Sequence, residues 1–403
     1  MTHSRTADAP VRCRRLWTRR GVVDDATVVH TGGVVREVRP GRAGDGPAVD
    51  GLVVPGLINA HTHLELSDLA GHVAPGGGYY AWFARLRGAA RGEAAVDSAA
   101  RHLVDLGAAA CVDVTNRGDT LPALAVAGLH GVVQHELLGF DAAALPGRLA
   151  VAARPARAAD LTLRVSPHAL LSTPGALVQA CVNAPPRGVP ATIHFAETPD
   201  EQRWLRDGDG PAADALDALG RDWRWWTPPG VDAAAHLDAL GVLGPGLLLV
   251  HAVFVSPADR RLIVDRGSPV CFCPRSNLHV SGVLPDATAW WRAGATLLLG
   301  TDSLASSPDL DVLAEIAPLL AAHPAVPADV WLAAVTHTAA DALGLAVVGA
   351  VEPGRAPGLL QLDLGRPDDL RLGPPARRWL LPPAPPTLAP PPPTGDSATG
   401  GPA

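Results

Sequence analysis

Short apolar runs alternate along the chain with longer stretches rich in Ala, Leu and Arg. Eight runs have the length and Val/Ile/Leu content of buried strands. They are LVVPGLIN (52–59), ACVDVT (110–115), GVVQHELL (131–138), LTLRVS (161–166), ATIHFA (191–196), LLLVHA (247–252), PVCFC (269–273) and TLLLG (296–300). The intervals, such as GEAAVDSAARHLVDLG (92–107) and VDAAAHLDALGVLG (231–244), are mostly long enough for crossover helices. Parallel strands require such crossovers. Eight β-then-α units predict an α/β protein built on a (β/α)8 TIM-type barrel.

The two ends of the chain break this rhythm. GVVDDATVVHTGGVVREVRPG (21–41) and GAVEPGRAPGLLQLDLG (349–365) read as short strands joined by turns. They predict a small β-sandwich domain assembled from both ends. The resulting division is 1–52 and 346–371 for that domain, 53–345 for the barrel, and 372–403 for a tail. The tail is Pro-rich and then Gly/Ser-rich, so it is expected to be largely disordered.

Composition narrows the classes. The chain has 403 residues, 47% hydrophobic and 18% charged, enough to bury a large core. A net charge of −7 argues against nucleic acid or an anionic membrane as partner. No apolar run is long enough to suggest a membrane span, and the basic N-terminus lacks the apolar core of a signal peptide. The five cysteines, Cys13, Cys111, Cys181, Cys271 and Cys273, are odd in number and scattered. They read as free thiols in a reducing cytoplasm. The CFC pair at 271–273 reads as two same-side thiols of a buried strand before it reads as a metal pair.

The chemistry collects at strand ends. LINAHTHLEL (57–66) closes an apolar run with His61 and His63. Residues i and i+2 of a strand share a side, and at the C-terminal end of a barrel strand that side is the active-site mouth. Two imidazoles placed there can share a metal ion. Later strands end in His168, in His194 followed by Glu197, in His251 and in Asp302. Polar residues at that many successive strand ends are hard to explain as core packing.

This set resembles the amidohydrolase superfamily, in its deaminase and chlorohydrolase branch. PGLINAHTHLEL, HFAE, VHAVFVS, CPRSN and GTDSLAS carry the resemblance in order and spacing, over roughly residues 20–370. Within the branch, NAHTHLELS, YYAWFARLR, CPRSN and TDSLASSPDLDVLAE are most similar to the aminodeoxyfutalosine deaminases. The return strand, PGRAPGLLQLD, carries Gly358 where the family usually has Asp.

The resemblance implies a site. His61, His63, His194 and Asp302 would hold one divalent metal, Zn2+ first and Fe2+ as the alternative. All 33 basic residues are arginine. No lysine is therefore available to bridge two metals, which points to a mononuclear centre. Asp302 would accept a proton from water, His251 would orient that water, and Glu197 would carry a proton to a purine ring nitrogen and then to the leaving amine. The implied reaction converts a 6-aminopurine nucleoside-type substrate to its 6-oxo form with release of ammonia. Aminodeoxyfutalosine, on a route to menaquinone, is the first substrate expected. S-adenosylhomocysteine, methylthioadenosine, adenosine, guanine or a triazine on the same scaffold are the alternatives. A binding protein on a retired barrel would show eroded ligands, and none is eroded here.

Further contacts are expected around this centre. His168, Glu65 and Glu136 are expected to touch substrate, and Arg275 to pair with a substrate carboxylate, with Arg85 and Arg87 as competitors. Asn277 is expected to shape its loop, and His337 to be structural beside a helix capped by Thr336. The Trp-rich loop DWRWWTPPG (222–230) would wall the pocket or pack on the rim. A homodimer is compatible with the family.

Overall fold

The structure is a computed structural model. It describes residues 9–41, 47–92, 95–117, 120–140, 143–152 and 161–386. All eight apolar runs form strands. They are β5 (Leu57–Thr62), β6 (Ala108–Thr115), β7 (His130–Leu137), β8 (Leu161–Pro167), β9 (Ala191–Phe195), β10 (Leu247–His251), β11 (Val270–Phe272) and β12 (Leu297–Leu299). Every residue of β5 and β6 is buried. That fits parallel strands covered on both faces, which read as continuous apolar runs.

These strands form two parallel sheets, ordered β5-β6-β7-β8 and β12-β11-β10-β9. Isolated bridges, not continuous ladders, link the sheets: Thr62 to Asp302 on one side and Ala169 to His194 on the other. The α/β class predicted from the pattern holds. The ladders do not join into one closed eight-stranded sheet.

The close approach at the first seam depends on Gly300. A Cβ there would lie 2.7 Å from both Cβ and N of His61. The missing side chain lets the two sheets meet at the H-x-H strand.

Both chain ends do meet, in one six-stranded sheet ordered β14-β13-β4-β1-β2-β3. Its strands are β1 (Val11–Thr18), β2 (Gly21–Thr31), β3 (Val34–Pro40), β4 (Leu52–Val54), β13 (Leu359–Leu362) and β14 (Arg377–Leu381). The β2–β3 hairpin turns on Gly32 and Gly33, both with positive φ. A two-residue primed turn demands that conformation at both positions. The sheet packs Leu16, Val28, Val35, Val53 and Leu359 into one core. Among the described residues a second layer, as a separate sandwich would need, is not shown.

Two expectations need correction. The run 52–59 is not one strand: Val53 pairs with Leu16 and Gln361 in the terminal sheet, whereas β5 enters the parallel sheet. Pro55 has no N–H to give a ladder, and a Cβ on Gly56 would meet the Ala109 Cβ at 2.4 Å. The chain changes sheets at that pair. The tail expected to be disordered from residue 372 instead contributes β14. Trp379 anchors it by donating to the Val104 carbonyl at 2.9 Å, and Arg377 by pairing with Asp311. The remainder of the tail expectation, from residue 387, lies outside the described residues. No helix among the described residues is long and apolar enough to cross a membrane.

Candidate active site

β5 belongs to one parallel sheet, and β9, β10 and β12 to the other. The C-terminal ends of all four converge. His61 Nε2 lies 3.1 Å from His63 Nε2, which lies 3.2 Å from His194 Nε2. Asp302 Oδ1 stands 3.5 Å from His63 Nε2 and 3.7 Å from His61 Nε2. The four residues named from the sequence are thus brought together from three strand ends, those of β5, β9 and β12.

The donor set fits a divalent metal. A neutral imidazole carries one N–H, so three ring nitrogens this close cannot satisfy one another. His194 settles its own tautomer. Its Nδ1–H donates to the His168 carbonyl at 3.0 Å, with Glu136 Oε1 at 3.4 Å, and the Nε2 lone pair therefore faces the cluster. Burial lowers the His61 ring well below its ordinary pKa and brings His194 to about 3. Both rings are neutral and able to ligate near pH 7. Burial alone would raise Asp302, but the facing His63 and His251 and the Ser276 hydroxyl outweigh it, and Asp302 stays ionised. Ser276 and Ser306 both donate to Oδ2 of Asp302, at 2.6 and 2.8 Å, which leaves Oδ1 toward the histidines.

Backbone strain clusters at the same place. Ala196 (φ 47°), His251 (φ 74°), Ala252 (φ 47°) and Asp302 (φ 58°) are left-handed without being glycine. Each such residue costs about 1–3 kcal/mol and persists only where its surroundings hold it. Here the turns swing Glu197, His251 and Asp302 toward the cluster.

A cavity of about 300 Å3 opens beside these residues. His63, His168, His194, Glu197, His251 and Asp302 line its polar end, with Glu65 and Glu136. Tyr79, Phe83, Leu86, Leu216 and Leu219 form an apolar wall. Glu197 Oε1 lies 3.8 Å from His251 Nε2. Burial, then the nearby Asp302 and Glu201 carboxyls, push Glu197 well above the ordinary carboxylate range. Burial lowers His251 to about 4 and His168 to about 3. Asn277 does more than shape a loop: its amide Nδ2 lies 3.0 Å from His251 Nδ1. With the amide donating, the proton of His251 sits on Nε2, toward Glu197.

Glu65 accepts from the Thr115 hydroxyl at 2.7 Å and from the Asn116 N–H at 3.0 Å. Glu136 accepts from the Asn116 amide at 2.8 Å. Both reach the cavity while held by Asn116, which sequence reasoning did not single out. Ser276 and Ser306 were also missed, although both lie inside or beside motifs that were. Nothing local announces that two hydroxyls 30 residues apart share one carboxylate oxygen.

Arg275 is not at the cavity. Its guanidinium is held by Glu315 at 2.6 Å and Asp309 at 2.7 Å, which leaves it no substrate carboxylate to bind. Arg85 is turned onto the Ala74 and Gly76 carbonyls, and neither it nor Arg87 lines the cavity. Among the described residues Arg91 is the one arginine of the lining, and Asp68 engages it through both oxygens.

Other sequence candidates also fall outside the cavity. Thr336 does not cap its helix; its hydroxyl donates to the Leu332 carbonyl at 2.6 Å and accepts from Trp17. His337 stacks on Trp17. Trp223 and Trp226 pack on Trp204, away from the cavity lining. Cys271 and Cys273 are buried core thiols.

Residues 52–388 match the profile described as Amidohydrolase family. The aminodeoxyfutalosine deaminase of Deinococcus radiodurans is 32% identical over 286 residues, 66% of this chain and 67% of that protein. The 5-methylthioadenosine/S-adenosylhomocysteine deaminase of Nitratidesulfovibrio vulgaris is 27% identical over 408 residues, covering 86% of this chain and 82% of that protein. Among solved structures, Helicobacter pylori aminofutalosine deaminase in complex with methylthio-coformycin aligns with a TM-score of 0.76 at 19% identity, over 93% of this chain and 98% of that one. An adenosine deaminase from Xanthomonas campestris with bound zinc aligns with a TM-score of 0.69 at 24% identity, over 88% and 84%. At these identities the structural likenesses concern the fold alone.

Proposed function

The chain belongs to the amidohydrolase family and is a hydrolytic enzyme, and from that premise we propose that it deaminates the 6-amino group of a purine nucleoside. The observation that carries this reading is the convergence of three imidazole nitrogens and Asp302 Oδ1 in one cavity with Glu197 and His251. His61, His63, His194 and Asp302 would hold one divalent metal, with zinc the ion we propose. When bound, the ion supplies polarisation of water, so that hydroxide is available near neutral pH.

The chain's own groups do the rest. Asp302 Oδ1 takes the proton of the attacking water. His251 Nε2–H orients that water and steadies the charge that develops on it. Glu197 donates its proton to the ring nitrogen next to the reacting carbon. Left as a carboxylate, it takes up the proton held by Asp302 and passes it to the amine; ammonia leaves, and the proton of the new hydroxyl returns to Glu197 as that oxygen becomes the carbonyl. His168 would contact the substrate, Glu136 the ribose hydroxyls, and Glu65 the substrate edge nearest Asn116.

The finer reading takes aminodeoxyfutalosine to futalosine in menaquinone biosynthesis, in the cytoplasm. The relative from Deinococcus radiodurans supports it, as does an aromatic wall of Tyr79 and Phe83 suited to an aryl group. Methylthioadenosine and S-adenosylhomocysteine are the nearest alternatives, on the relative from Nitratidesulfovibrio vulgaris. In the same reading the eight parallel strands act as one (β/α)8 barrel over 53–345. The terminal sheet is then its β-sandwich companion, and the assembly is a homodimer.

The test is ammonia release by zinc-loaded protein from aminodeoxyfutalosine, S-adenosylhomocysteine, methylthioadenosine, adenosine and guanine. Preference for aminodeoxyfutalosine supports the pathway. Preference for another purine keeps the chemistry and removes the pathway. Metal bound with no ammonia from any of them sinks the purine reading.

A further inference from the structure

Glu201 lies four residues beyond Glu197, in the first turn of the helix Asp200–Asp207. It is 1% exposed, yet it does not line the cavity and no step above uses it. A buried carboxyl without hydrogen bonds costs about 1–3 kcal/mol, so its partner matters. That partner is the backbone N–H of Ala196, which donates to Glu201 Oε1 at 2.9 Å.

Ala196 joins β9 to Glu197, and its φ is 47°. A residue with a Cβ pays about 1–2 kcal/mol for that left-handed conformation. Glycine would adopt it freely, but the chain has alanine there and clamps it instead. Glu201 takes the N–H of Ala196, and the Phe254 N–H donates to the Ala196 carbonyl at 2.9 Å. The backbone direction at residue 196 sets where the Cα–Cβ bond of Glu197 points.

We propose that Glu201 is a positioning residue: its carboxyl holds the Ala196 turn left-handed, so that Glu197 faces His251 and the metal-binding cluster. The inference rests on the reading of Glu197 as the proton-carrying acid. Glu201 acts through a backbone N–H, so it is needed as an acceptor and not as an ionisable group. Glutamine has the same acceptor at the same reach.

The experiment compares Glu201→Leu, Glu201→Gln and the double variant Glu201→Leu with Ala196→Gly. Glu201→Leu should lower kcat about 100-fold, the scale of an ångström misplacement of a reacting group, with KM within about threefold. Its bound metal should equal that of the wild type. Glu201→Gln should keep kcat within about threefold of the wild type, because the acceptor survives. Ala196→Gly in the leucine background should restore at least about tenfold, because glycine holds the turn unaided. A role in packing alone predicts no such rescue. In the crystal structure of Glu201→Leu, the Glu197 carboxylate should shift by about 1 Å while His61, His63, His194 and Asp302 stay. If leucine prevents folding, Glu201→Ala serves the same comparison.

Unchanged kcat in Glu201→Leu overturns the proposal. So does a glutamine variant as slow as the leucine one, which would mean that a dissociable proton is required. Failure of the glycine to rescue overturns it as well. A wild type that deaminates no purine defeats the functional reading instead, and the position of Glu197 in the crystal structure then still decides the role of Glu201.

Discussion

The Ser276 hydroxyl donates to Oδ2 of Asp302 at 2.6 Å, and so decides which oxygen of that carboxylate faces the histidines. Ser306 reinforces the choice by donating to the same atom at 2.8 Å. Oδ1 is left to meet His63 and His61. Groups that orient a metal ligand in this way typically matter by about 10–100-fold. Ser276→Ala together with Ser306→Ala should weaken zinc retention against a chelator by that order and lower kcat/KM in parallel. Chelator competition and steady-state kinetics read the two effects. Unaltered metal affinity in the double variant would show that the hydroxyls only fill space.

Glu197 is set apart from the ligands by burial that raises its carboxyl pKa and by its place opposite His251. Glu197→Gln keeps the shape and removes the transferable proton. Turnover should fall by at least about 100-fold, the lower end of what a general acid contributes. Zinc content measured by mass spectrometry should not change. Loss of the metal would make Glu197 a ligand and contradict the assignment.

Arg275 spans Glu315 and Asp309 from a largely buried position. Removing one partner of a buried pair leaves the other charge stranded, at a cost of about 3–5 kcal/mol. Arg275→Ala should therefore lower the urea midpoint substantially. The ratio of kcat/KM for aminodeoxyfutalosine and methylthioadenosine should remain as in the wild type. A selective loss of the carboxylate-bearing substrate would restore Arg275 to the binding site.

Glu201 also predicts a pH dependence of stability. Burial raises its carboxyl from 4.5 to about 8, with the Ala196 N–H opposing the shift. The folded state thus holds the proton more tightly than the unfolded chain. The contribution is fully present below about pH 4.5 and is lost as pH rises through about 8. Glu201→Gln has nothing to ionise. Between pH 5 and pH 9 the wild type should lose stability relative to that variant, by on the order of a few kcal/mol. Urea unfolding at several pH values checks the sign. A difference independent of pH would mean that Glu201 ionises in place without penalty.

The sequence by itself determined the parts of this protein that are local. Each apolar run between Leu57 and Leu299 became a parallel strand, because burial on both faces writes itself as an unbroken hydrophobic run. His61 and His63 were placed together by the two-residue period of a strand, and His194, His251 and Asp302 by their position at strand ends. What lay beyond reach was the choice of partner across the fold. Arg275 carries a charge suited to a substrate carboxylate, but Glu315 and Asp309, 40 and 34 positions away, already engage it. β14 formed in a Pro-rich stretch because Trp379 found the Val104 carbonyl, 275 positions away. The left-handed turns at Ala196, His251 and Asp302 carry no glycine to announce them. Periodicity and chain direction are properties of neighbours in sequence. Hydrogen-bond allegiance and tolerated strain depend on neighbours in space, and only the packed tertiary structure supplies those.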